Sequence, residues 1–483
     1  MNLPAALLKT ATDLVSSNAH RKLRKKGAPT LPKGIPDVSS KPAADHFTFG
    51  FGKSVIMPEG KIPNKKQTYY IAGYRNNNPA AGVLDNLHAR ALWIDDNSDR
   101  GGFVMVSVDC VGLFTVDIDN IRKRLEHFSV VTGTRSINIC STHTHAGIDT
   151  MGLWGPLPKS GRNKDFMEIV YNGVVKAVED AYKNRRNGQV YLGYAKADEN
   201  SQDAGRPPHV YSDDITRLRF VPDDGSQEIY LINFASHPES LRGINSLVSA
   251  DFPCYAAKYI KEHTDAEMMY FPGAIGGLCM RPMDENNIIS TIKTGERFGE
   301  IICSIENETK LSAKIDFIRQ EIYLPCDNPV FWAGSKLKVI PENIVATGTG
   351  KLNLGMKTEM SYIQFGELNM LFIPGELFSE LAYGGYLPKE KSSLDTGPEI
   401  NPAPLCEIAE DEKLLIFGLA NGEIGYILTP NDYLLDAALP FINQPKDRFG
   451  RNHYPETNSL GPETAYKIAE TFSNMLKKFK NVK

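Results

Sequence analysis

No two cysteines of this chain form a CxxC pair, no apolar run is longer than a strand, and neither charge is in large excess. The seven cysteines are scattered, which reads as mostly buried thiols in a reducing compartment. Strand-sized apolar runs leave no segment to span a membrane. A net charge of -4 over 483 residues gives no general affinity for nucleic acid. No repeat of about 20 to 50 residues is apparent. What remains is a soluble globular chain, 41% hydrophobic and 23% charged. Its length suits one large domain or two to three ordinary ones.

The N-terminus also lacks something. The apolar patch at Leu3–Leu8 is too short for the core of a signal peptide, and the basic cluster follows it rather than preceding it. A cytoplasmic protein is expected rather than a secreted one. Leu7, Leu8, Ala11, Leu14 and Val15 fit one face of a helix. Arg21, Lys22, Arg24, Lys25 and Lys26 follow. The plain reading is a solvated helix and basic linker; the sharper one is weak contact with an anionic membrane surface. With the proline-rich stretch 27–42, this marks residues 1–45 as a lead-in to a main domain over 46–483.

Within that domain strands and helices alternate. Residues 102–110 read as a strand, 115–128 as a helix capped by Thr115, and 136–142 as the next strand, giving a β-α-β unit. Helices are expected near 163–183, 252–263, 291–307 and 463–479. Strands are expected near 190–195, 215–220, 228–236, 268–272, 315–324, 360–367, 369–373 and 413–419. The fold class is α/β, a mixed β-sheet with flanking helices in a single large domain.

Only ten histidines are present, yet His143 and His145 stand one residue apart at the end of an apolar run. In a strand such a pair emerges on one face. His237 and Glu376 also end strands, and Tyr426 lies just past one. If those ends share a sheet edge, they converge. Two imidazoles and a carboxylate suit a catalytic zinc ion, which keeps an open position for water. Spacing alone leaves coincidence open, because HxH is a weak pattern. The HxHxDH of a metallo-β-lactamase site is missing, and the elements before His143 do not fit a (β/α)₈ barrel.

Several stretches together resemble the neutral/alkaline non-lysosomal ceramidase family. They are "IAGYRNNNPAAGVLDNLHARALWIDD" (71–96), "SVDC" (107–110), "STHTHAG" (141–147) and "LINFASHPESL" (231–241). "IPGELFSELA" (373–382), "LANGEIGYILTPNDY" (419–433) and "HYPETNSLGPETA" (453–465) continue the order. The likeness runs over roughly 48 to 475 and covers the catalytic domain only; the immunoglobulin-like domain of larger members has no counterpart expected here. It implies a zinc-dependent hydrolase of an N-acyl amide bond, ceramide-like or smaller. By motif, His143, His237, Glu376 and Tyr426 would hold one zinc ion. His145 would carry a proton to the leaving amine, Arg206 would lie at the substrate, and Tyr454 would be a second active-site tyrosine. A small-molecule or lipid N-acyl compound is the implied partner. The same site on an ester or lactone, or a non-catalytic metal-binding homologue, is the alternative. The chain departs from the family's GDVSPN-type segment at "GAIGGLCMRP" (273–282), where Gly277 replaces the aspartate and Cys279 takes the approximate place of the serine. Its plainest reading is a buried thiol. His88 and Arg90 are read as packing and salt-bridge residues.

Overall fold

The computed structural model describes residues 3–63 and 66–482, with Leu3 for its backbone alone. Two mixed sheets, of nine and six strands, form the centre, with three two-stranded ladders beside them. The expected α/β class with mixed pairing and flanking helices is present, built on two large sheets rather than one.

The nine-stranded sheet runs in the order Glu267–Pro272, Ile229–Phe234, Asp214–Pro222, Arg186–Lys196, Phe47–Val55, His88–Asp95, Phe103–Val108, Ser136–Ser141, and Glu308–Lys310 adds to Arg186–Lys196. Its middle is antiparallel and both ends are parallel pairs. The β-α-β unit is one of them, with Phe103 in register with Ser136. The two ends come back towards each other: Ser107 Oγ, in the strand next to one edge, donates at 2.6 Å to Tyr270 O in the strand at the other edge. The sheet therefore curls until its ends meet at a seam.

One face of this sheet packs on the six-stranded sheet. Phe47, Phe49, Phe103 and Phe220 meet Phe317, Phe365 and Phe372 in a common core, and Phe47 stacks on Phe365 at 5.0 Å. Helices cover the outer faces, so most strands are buried on both sides and read as continuous apolar runs. The helix Lys164–Lys183 buries Phe166, Val170, Val174, Ala177 and Val178, an i, i+4 stripe, and Asn163 caps it by accepting Phe166 N–H at 3.0 Å. Leu3–Lys26 is helical, and its Ala19 joins the core under the second sheet. Among the described residues no helix is long and apolar enough to cross a membrane.

The helix expected over 115–128 breaks at Leu125 into Thr115–Arg124 and Glu126–Thr132. Thr115 is not its cap. Its hydroxyl donates to Lys357 O at 3.0 Å, and Phe114 takes the cap position, its N–H donating to Asp117 Oδ2 at 3.0 Å. Arg90 forms the expected salt bridge, its Nη1 donating to both Oδ atoms of Asp109 at 2.9–3.0 Å, beside His88.

Candidate metal centre and its cavity

His143 lies two residues beyond its strand, not within it. Its φ of 67° is left-handed, which costs a bulky side chain about 1–3 kcal/mol. Two bonds hold it there: His143 N–H to Cys110 O at 2.9 Å, and Nδ1–H to Val111 O at 2.5 Å. The pairing of His143 with His145 thus arises from a turn, not from strand alternation as the sequence suggested. His237 is held the same way, with its backbone N–H and its Nδ1–H both directed at Leu278 O, at 3.0 and 2.7 Å. The segment 273–282 therefore supports His237 through its backbone. Each imidazole spends Nδ1–H on a carbonyl and turns Nε2 inward.

Glu376 completes the convergence from the second sheet. It follows Gly375, whose φ is 139° and whose missing Cβ would stand 2.6 Å from Gly425 O, so only glycine fits the turn. Glu376 Oε2 is 2.8 Å from His237 Nε2 and 3.5 Å from His143 Nε2. Tyr426 is its register partner in a short parallel ladder. The strand ends do not share one sheet edge, as expected from the sequence. His143 and His237 come from opposite ends of the curled sheet and meet at its seam, and Glu376 arrives from the other sheet.

His145 packs against both imidazoles, with ring centroids 4.7 Å from His143 and 5.4 Å from His237. One ligand atom from each of the three histidines lies within 4.8 Å of the others. Neither ring nitrogen of His145 makes a hydrogen bond among the described residues, although Nδ1 is 3.4 Å from Glu239 Oε2. Glu239 is itself fixed by the Tyr74 hydroxyl at 2.9 Å.

Burial opposes charge on Glu376, but His143 and His237 outweigh it and hold the carboxyl well below its usual range. Burial also opposes the charged form of His237, and Glu376 overrides it to lift the imidazole to about 9. His145 goes the other way, to about 3, through burial and the neighbouring His143. Burial and Glu376 push the Tyr426 phenol upward. Burial and Glu376 likewise raise Glu423 far above the carboxylate range.

A cavity with about 600 Å³ of empty space, part of it open to solvent, lies over these groups. Phe114, Met151, Leu153, Trp154, Phe331 and Met356 make its apolar wall, and Tyr426, Tyr454 and Glu423 also line it. No lysine or arginine is among its lining residues. In their neutral forms the two imidazoles offer Nε2 lone pairs beside a carboxylate oxygen, no lysine or arginine lines the space above them, and a phenol stands beside them. That donor set fits a divalent cation of borderline softness such as zinc.

Arg206 was expected at the substrate. It is not among the lining residues. Its guanidinium donates to Glu456 Oε1 at 2.7 Å and to Asp432, through the backbone carbonyl at 2.7 Å and through the carboxylate. Two buried acids consume its charge. Glu456 belongs to the same short helix, Tyr454–Thr457, as the cavity residue Tyr454, so Arg206 anchors that segment. Cys279 is partly buried, and burial with Glu239 pushes its thiol up to about 12.

Residues 66–280 match the family model described as neutral/alkaline non-lysosomal ceramidase, N-terminal. Over those residues the chain is similar to the neutral ceramidases. The neutral ceramidase of Oryza sativa subsp. japonica is 23% identical over 221 residues, which is 42% of this chain and 28% of that protein. Neutral ceramidase 1 of Arabidopsis thaliana is 24% identical over 220 residues, 41% of this chain and 28% of the relative. The chain thus spans little more than a quarter of the length of the curated relatives it matches. Two solved structures share the fold at a TM-score of 0.66 each. The neutral ceramidase from Pseudomonas aeruginosa, 17% identical, matches 91% of this chain and 74% of its own. A ceramidase complexed with C2, 16% identical, matches 92% and 76%.

The matched stretch of the ceramidase-like chain contains His143, His145 and His237. Glu376, Tyr426 and Tyr454 lie outside it, and the fold brings them to the same place. Tyr74, Glu239 and Glu423 were missed from the sequence. Glu239 carried one signal, a carboxylate directly after His237-Pro238. Glu423 carried another, an acid inside the glycine- and isoleucine-rich approach to Tyr426.

Proposed function

We propose that this ceramidase-like chain is a zinc-dependent hydrolase of an N-acyl amide bond, ceramide-like or smaller. The observation that carries the reading is the convergence of His143 Nε2, His237 Nε2 and Glu376 Oε2 under an apolar cavity. His143, His237, Glu376 and Tyr426 would hold the ion. When bound, it supplies Lewis-acid polarisation of the carbonyl and acidifies a water at neutral pH.

The remaining work falls to the chain's own residues. The Val111 and Leu278 carbonyls keep both Nδ1–H groups engaged, so each Nε2 stays available. His145 is neutral at working pH and borders the cavity. It takes a proton at a ring nitrogen and delivers it to the departing amine, which amide cleavage requires. Tyr454, 44% exposed at the cavity, presents its hydroxyl to the developing oxyanion. Arg206 acts through Glu456, keeping the Tyr454 segment in place. The apolar wall excludes water and accepts an acyl or alkyl arm.

The test is metal analysis of the purified protein together with a panel of N-acyl amides and matched esters. Zinc at one per chain, with amide turnover that vanishes in Glu376→Ala, is the expected result. Turnover of esters alone would make the enzyme an esterase on the same site. Bound metal without turnover of any panel member would overturn the hydrolase reading.

A further inference from the structure

Glu423 stands in the cavity wall three residues before Tyr426, and only half of its carboxyl is used. Oε1 accepts the Gly425 N–H at 2.6 Å. Oε2 makes no hydrogen bond among the described residues, although Glu423 is only 3% exposed. A buried carboxyl oxygen without a partner is costly, and such groups call for an explanation. Its surroundings supply none. Met151, Ile424 and Gly425 share the wall with it, and the wall contains no lysine or arginine. Gly112 makes the room: a Cβ there would lie 2.7 Å from Met151 Sδ and 2.9 Å from Glu423 Cγ.

We infer that Glu423 determines specificity: its free Oε2 pairs with a hydroxyl on the arm of the substrate that fills the cavity. The preferred substrate then carries a hydroxylated chain rather than a plain alkyl one. A hydroxyl is the matching group because it donates to a carboxylate and accepts from a carboxylic acid, so it satisfies the oxygen in either form. It is also small and neutral enough for an otherwise apolar wall. The naming of the arm as acyl rests on the hydrolase reading above; the pairing itself does not.

The experiment measures binding by calorimetry to the full-length, zinc-loaded protein. The probes are hexanoate and its counterparts hydroxylated on the second, third or sixth carbon. In the wild type at least one hydroxylated acid binds roughly tenfold or more tighter than hexanoate, the scale expected of a site built to hydrogen-bond its ligand. Glu423→Leu removes that advantage and leaves hexanoate binding unchanged or tighter; Glu423→Gln keeps part of it. Equal binding of all the acids to the wild type, no binding of any, or an advantage that persists in the leucine variant overturns the inference. The wild-type comparison decides even if the leucine variant does not fold. A hydroxyl preference without amide turnover refutes the hydrolase reading alone, and turnover without the preference refutes this one alone.

Discussion

Glu342 gives a test of the electrostatics away from the metal centre. Its carboxyl is buried beside the start of the helix Thr115–Arg124, with Oε2 accepting Val116 N–H at 3.3 Å and Oε1 accepting Asn343 N–H at 3.1 Å. Burial dominates those bonds and pushes it up to about 7 from 4.5, and Asp117 and Asp119 add to the rise. A group raised in the folded state favours folding while protonated. That contribution is fully present below pH 4.5 and is lost as the pH climbs through 7. The rise from 4.5 to about 7 corresponds to about 3 kcal/mol of stability lost by pH 8.5. Glu342→Gln cannot ionise. It forfeits one backbone hydrogen bond, worth about 1 kcal/mol, at every pH. The variant is therefore slightly less stable than the wild type at low pH and about 2 kcal/mol more stable at pH 8.5. Denaturant unfolding of both proteins at pH 4.5 and pH 8.5 measures the difference. A gap between them that does not change with pH, or a glutamine variant weaker at pH 8.5, would refute the reasoning.

Other substitutions probe the site directly. His145→Ala should lower kcat for an N-acyl amide by roughly 10²–10⁴ while bound zinc is retained, measured by kinetics and metal analysis; loss of zinc instead would make His145 a ligand. Gly73→Ala should also cut turnover, because the new methyl would lie 2.5 Å from His145 Cβ in a backbone of φ 108°; unchanged kinetics would mean that His145 need not keep its place. Arg206→Met removes the cation that buried Asp432 and Glu456 share, leaving them only Arg451 at 3.4 Å and His453 at 2.6 Å, a loss of up to roughly 3–5 kcal/mol visible in the unfolding midpoint. A neutral outcome there would show the clasp to be dispensable.

Local signals were legible where local physics decides. The apolar stripe and Asn163 cap make the helix Lys164–Lys183 whatever surrounds it, and the run Ser136–Ser141 is a strand by composition and length. The site was legible as a set of residues, because His143, His237 and Glu376 each end such a run just before a turn. Their geometry was not. The φ of His143 depends on the Cys110 and Val111 carbonyls, which belong to a different strand end. That two large sheets form, rather than one, depends on which aromatic faces meet across the core, and alternation within a strand does not encode its partner. Arg206 was placed at the substrate by motif alone, and no local pattern could show its clasp, because its two acids lie more than two hundred residues away.

The curl of the nine-stranded sheet links these observations. His143 and His237 are oriented by backbone carbonyls, at Val111 and Leu278, that lie on opposite sides of the seam. The seam is tied by Ser107 to Tyr270 and by Gly418 N–H to Pro272 O at 2.9 Å, the latter reaching over from the second sheet. Orientation of each imidazole is thus a property of the chain path and not of a replaceable neighbouring side chain. Glu376 reaches the pair only because the second sheet packs into the face of the first. The three donors can therefore converge only when the sheet has closed and both sheets have docked. A ligand that bridges them would bind the folded state alone and strengthen that closure.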